Sequence, residues 1–243
     1  MGFLVNSFIE FPVSAEIEKD NQDIIQRGTA TPSSGAGGTG LVSGTFSNFT
    51  VGNNTNRVLI VASGCYNASP DITGVTFNGD EDFEKIIGAT LTANPFRLEL
   101  WILYAPTVST GDVVITYGTD STTGSFEPGA GQTGAIVYSF FGVKQSSATG
   151  TPVTKSAGAS TSPFIAITPA TVGSMIIDCW FAGAGSPVPN NDLTDGMNII
   201  CGGVDRSMAS QYDLEPTIGS ANNMSRTSGN SSYAQIAVEI LRA

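Results

Sequence analysis

Residues Phe96 to Gly118 read FRLELWILYAPTVSTGDVVITYG, two apolar runs split by a Pro-Thr-Val-Ser-Thr-Gly break. In the first run Phe96, Leu98, Leu100, Ile102 and Tyr104 recur at every second position, which in an extended chain places them on one face, with Arg97 and Glu99 opposite. Trp101 and Leu103 make the later part apolar on both faces, so this strand belongs inside a sheet that is covered on each side. Pro106 has no N–H to give a ladder and ends the run, Ser109 to Asp112 turn the chain, and Val113, Ile115 and Tyr117 begin a second alternation. The expectation is two strands joined as a hairpin-like unit, scaffold rather than active site.

The same period of two recurs along the chain. Val58, Ile60 and Ala62 share a face, and ITGVTFNG (Ile72 to Gly79), GAIVYSFFG (Gly134 to Gly142), PFIAITP (Pro163 to Pro169) and SMIIDCWF (Ser174 to Phe181) are short apolar runs bounded by turn residues. In SYAQIAVEIL (Ser232 to Leu241), Ala234, Ile236, Val238 and Ile240 point one way while Gln235 and Glu239 point the other. Roughly ten short strands without strong helical periodicity predict an all-β fold, a two-sheet antiparallel sandwich of jelly-roll type. No sequence repeat of about 20 to 50 residues is visible, which argues against a propeller or β-helix. Residues 1–30 form an N-terminal arm, with Phe3, Leu4, Phe8 and Phe11 as its apolar anchor and a short helix expected around Ile17, Ile24 and Ile25. Residues 31–40, TPSSGAGGTG, are a Gly/Ser-rich linker, and residues 41–243 are the sandwich domain.

The composition narrows the function. Charged residues make up 13% of the 243, against roughly 25% in an average globular protein, and the 29 glycines suit a fold with many turns. A net charge of −11 argues against nucleic acid as a partner, because phosphate binding needs a basic surface. The absence of histidine removes the commonest general base and zinc ligand. Cys65, Cys179 and Cys201 form no CxxC pair, and Cys179 within MIIDCWF reads as a small buried hydrophobe. The N-terminus has no basic region before its apolar residues, and Glu10 interrupts them, so it does not read as a secretory signal. No window approaches the ~18 to 20 consecutive apolar residues of a membrane helix.

Four groups of side chains could carry chemistry. Asp80, Glu81, Asp82 and Glu84 follow the Asn78-Gly79 turn and could wrap a calcium ion, but they lack the full spacing of a calcium loop and read more simply as a solvated turn. Glu99, Asp112, Asp178 and Glu239 lie in or beside strands, where a glycosidase would place its paired carboxylates; no pair stands out, and Asp178, flanked by Ile177 and Cys179, is the candidate for burial. Trp101, Trp180, Tyr66, Tyr104, Tyr138 and Tyr233 could supply a sugar-stacking platform, yet most fall on apolar strands and read as core. Sequons at Asn48, Asn53, Asn67, Asn223 and Asn230 read as chance in a chain rich in Asn, Ser and Thr.

Set in a row, VGNNTNRVLIVASG, ITGVTFNG, LELWILYAPTVSTGDVVITYG, GAIVYSFFGVKQ, ITPATVGSMIIDCWF and SYAQIAVEIL resemble a loosely defined group of β-sandwich domains in tailed-phage structural proteins and some bacterial surface proteins. The resemblance runs from Val51 to Leu241 and departs at Tyr233, where the pattern often carries Trp. It implies no catalytic residues and no cofactor. It implies a virion structural protein, made in the host cytoplasm, whose partners are further copies of itself and other virion proteins. The alternative is an exported carbohydrate-binding or adhesive module.

Overall fold

The computed structural model describes residues 18–19, 42–65, 72–90, 97–117, 133–182, 188–189, 198–201, 206–227 and 229–243. They form strands and connecting turns, with no helix among the described residues. The first half supplies β1 (Glu18–Lys19), β2 (Val42–Thr50), β3 (Val58–Cys65), β4 (Ile72–Phe77), β5 (Glu81–Asp82), β6 (Glu84–Thr90), β7 (Arg97–Tyr104), β8 (Thr110–Tyr117) and β9 (Thr133–Phe141). The second supplies β10 (Val153–Ser160), β11 (Phe164–Ile167), β12 (Met175–Ala182), β13 (Val188–Pro189), β14 (Asn198–Cys201), β15 (Arg206–Asp213), β16 (Asn222–Thr227) and β17 (Ser231–Ile240). All-β architecture with antiparallel pairing agrees with the alternation in the sequence.

The sheets outnumber the two expected. Two five-stranded sheets, β1-β9-β3-β7-β6 and β10-β17-β12-β15-β14, form the centre. They pack through a core that includes Val58, Ile60, Leu100, Ile102, Tyr138 and Phe140 from the first, and Ile177, Cys179, Phe181, Tyr212, Ile236 and Val238 from the second. Their other faces are buried too. Leu59, Val61, Trp101, Leu103 and Val137 pack under the outer sheet β2-β8-β4-β5, against Phe49, Phe77, Val113 and Ile115. Ile176 and Ala237 pack under the outer sheet β11-β16-β13, against Ile165, Ile167 and Met224. The reason is visible in β7, whose six middle residues are all buried: a strand apolar on both faces needs cover on both.

The expected hairpin across Pro106 is a crossing between layers. β7 pairs with β3 and β6 in the central sheet, whereas β8 pairs with β2 and β4 in the outer one. Ala105 takes φ 47° at this corner and its N–H bonds Arg57 O at 3.0 Å. The Arg57 guanidinium donates from Nε and Nη2 to Pro106 O at 3.2 and 3.1 Å, fastening the corner to the end of β3. In the first half the pairing is nested: β1 with β9, β2 with β8, β3 with β7, β4 with β5. Glu18 and Lys19, within the region expected to be helical, instead pair as a strand with Phe141 and Phe140. An edge strand offers main-chain partners that a short helix with few apolar residues does not. Ile17, Ile24 and Ile25, the anchor residues Phe3, Leu4, Phe8 and Phe11, and the linker lie outside the described residues.

Candidate functional site

The concentration of buried polar groups lies between the second central sheet and its outer sheet. Alternation along β12 sends Ile177 and Cys179 into the central core and Asp178 and Trp180 to the opposite face. Gln211 on β15 stands in register with Asp178, and Gln235 on β17 stands in register with Trp180. Arg226 arrives from β16 of the overlying sheet. Its Nη2 donates to Asp178 Oδ2, which also accepts from Gln211 Nε2 at 2.7 Å. Gln235 Nε2 donates to Asp178 Oδ1 at 3.0 Å and to Met224 O at 3.0 Å, and the Arg226 guanidinium lies 5.9 Å from the centre of the Trp180 ring. Asp178, Arg226, Gln211, Gln235 and Trp180 are all 0% exposed.

Burial raises the Asp178 carboxyl above its ordinary range, with Arg226 and the two glutamines pulling the other way. Among the described residues, Arg226 Nε and Nη1, Gln211 Oε1, Gln235 Oε1 and Trp180 Nε1 have no hydrogen-bond partner. A charge pair removed from water and only partly satisfied adds little net stability, but it penalises any arrangement that separates its members. Its chemistry here is that of a pin, tying β12, β15 and β17 to β16. Cys179, on the other face of β12, is a free thiol pushed up to about 12, chiefly by burial, in keeping with its reading as a small hydrophobe.

The remaining candidates are dispersed. Glu239, 6% exposed, accepts from Ala170 N at 3.1 Å, Thr171 N at 2.8 Å and Ser174 Oγ at 2.7 Å, clamping the turn before β12. Glu99 lies on the outward face of β7 with Lys85 Nζ at 3.2 Å and Arg97 Nη1 at 3.5 Å. Asp112 is exposed on β8 and accepts from Asn48 N at 3.2 Å. In the acidic turn, Glu81 Oε1 accepts from Thr107 N at 2.9 Å and Thr107 Oγ1 at 3.1 Å, tying β5 to the corner after β7. Among the described residues no three or more His, Cys, Asp or Glu side chains gather as a metal site. Trp101, Trp180, Tyr138 and Tyr233 are buried and form no exposed platform; Tyr66 lies outside the described residues.

Asp178 was legible as a candidate for burial because it interrupts MIIDCWF. Its partners were not. Gln211 and Arg226 sit in SMASQYD and NNMSRT, which lack the apolar alternation that marks a strand. Compared with protein-family models, curated proteins and solved structures, the chain matches none.

Proposed function

We propose that the protein is a virion structural component, such as a capsid, decoration, fibre or tail subunit, built on β-sandwiches of jelly-roll type and acting by assembly. The observation that carries this reading is the nested pairing within the first half of β1 with β9, β2 with β8 and β3 with β7, the order obtained by rolling one long hairpin into two facing sheets. The use of Asp178, Glu99 and Glu239 in internal contacts is consistent with a load-carrying scaffold. The net charge of −11 keeps such a subunit soluble before assembly. Antibody raised against the chain should label particles purified from the producing host, and mass spectrometry should recover its peptides from them. Particles without either signal would remove the proposal. Binding on a glycan array together with absence from particles would favour an adhesive module instead.

A further inference from the structure

We infer that the chain is an internal duplication, two copies of one sandwich packed about a pseudo-twofold axis through the central core. The central sheets run β1-β9-β3-β7-β6 and β10-β17-β12-β15-β14; the outer sheets run β2-β8-β4-β5 and β11-β16-β13. Reading β10 to β17 as β1, β2, β3, β4, β6, β7, β8 and β9 turns the second set of orders into the first, in chain order, with only β5 left over.

Residue-level register follows the same mapping. Aligning Pro106-Thr107 with Pro216-Thr217, just after β7 and β15, sets Trp101 against Gln211; Val61, which faces Trp101 and Val137, then corresponds to Asp178, which faces Gln211 and Ala237. Extending these registers makes Val58 equivalent to Met175, Ile102 to Tyr212 and Phe140 to Ile240, and all six lie in the central core. Tyr104 and Leu214, also equivalent, both pack partly buried against it. Asn56 and Gly173, each two positions before an equivalent residue, both have positive φ, 56° and 75°.

A twofold relation also requires that if one element touches a second, their equivalents touch as well. β9 meets β15 as β7 meets β17, β9 meets β14 as β6 meets β17, and β3 meets its own equivalent β12, whereas β7 with β12 and β6 with β10 are closer than their equivalents β3 with β15 and β1 with β14, so the twofold is approximate. Gly64 and Phe181 are equivalent by register, and they touch: a Cβ on Gly64 would lie 2.3 Å from Phe181 Cδ2. Contact between equivalent residues is the property of a pair at the axis.

The copies differ at the buried polar cluster. Asp178, Gln211 and Gln235 occupy the register positions of Val61, Trp101 and Ala135, and Arg226 matches Ile115 in the shared burial pattern of β8 and β16. Val61, Trp101, Ala135 and Ile115 are all apolar core. At these four positions the first copy is apolar, whereas the second carries an ion pair and two glutamines beside the apolar contacts of Ile165, Ile167 and Met224.

The test exchanges the axial pair. Gly64→Phe places a second ring where one already sits, and Phe181→Gly leaves a cavity; each should lower Tm by about 10 °C. In the double variant the ring approaches from the equivalent position and should restore most of the loss, whereas a double variant no more stable than the worse single would overturn the inference. A crystal structure of the wild-type chain is the second readout, independent of whether the variants fold. A rotation near 180° should superpose β3, β7 and β9 on β12, β15 and β17 in the stated register. A shift of one residue would exchange inward and outward faces and would equally overturn it.

Discussion

Cys179 illustrates how strongly a residue's surroundings govern its chemistry. Its thiol is buried, 3.5 Å from Ser210 Oγ, and pushed up to about 12, so almost no nucleophilic thiolate exists at neutral pH. Iodoacetamide at about pH 8 should leave Cys179 unmodified in the native protein and alkylate it after denaturation, as read by peptide mass spectrometry; rapid native labelling would mean that β12 opens readily. Glu99 makes the complementary case. Burial raises its carboxyl above the ordinary 4.5, with Lys85 and Arg97 opposing. The folded state therefore holds the Glu99 proton better than the unfolded chain does. The corresponding stability is present below about 4.5 and is lost as pH rises through the raised value. Glu99→Gln cannot ionise, so its Tm minus that of wild type should increase between about pH 4 and about pH 7. A difference that shrinks over that range would assign the dominant effect to the Lys85 and Arg97 contacts instead.

For strands, the side that each residue faces is better encoded than what meets it there. The alternation in SYAQIAVEIL correctly separates Ala234, Ile236, Val238 and Ile240 from Gln235 and Glu239, yet those two polar residues are buried rather than facing water, Gln235 under β16 and Glu239 against the turn before β12. Local pattern cannot report a covering sheet made by distant residues. The same limit hid Arg226, whose segment has the polar look of a surface strand although its side chain crosses to Asp178 on β12. That crossing sets a testable asymmetry. Asp178→Val alone strands a guanidinium in the interior and should cost about 3 to 5 kcal/mol, while adding Arg226→Met removes the orphan charge with an unbranched apolar chain and should recover most of the loss. Urea denaturation of the two variants measures both values. A double variant as unstable as the single would mean that Gln235, which bonds Met224 O, rather than the charge pair, holds β16 on the sheet.

At the scale of the molecule, the all-β class was legible because apolar alternation survives sequence divergence, whereas the duplication was not, because little except that alternation survived. Ile60 matches Ile177, but Val61 matches Asp178 and Gly64 matches Phe181, so the halves share burial pattern more than residue identity. Layering shows the same balance: the two central sheets share one apolar core, and each buries its other face against its own outer sheet. The N-terminal segment keeps this near-symmetry in position but not in length, since Glu18 and Lys19, the counterpart of the eight-residue β10, place only two residues beside β9 at the edge of the first central sheet. So short an edge strand contributes little to the core, and deletion of residues 1–30 should lower Tm by no more than about 4 °C. Under the proposed virion role, the residues lost with it, Phe3, Leu4, Phe8 and Phe11, are those offered to a neighbouring subunit, where burial gains about 25 cal/mol per Å² of apolar surface. Particles assembled with the truncated chain should therefore lack it although it remains folded. Wild-type incorporation of the truncated chain would locate attachment on the sheets instead, and a large fall in Tm would show that the segment belongs to the fold rather than to its contacts.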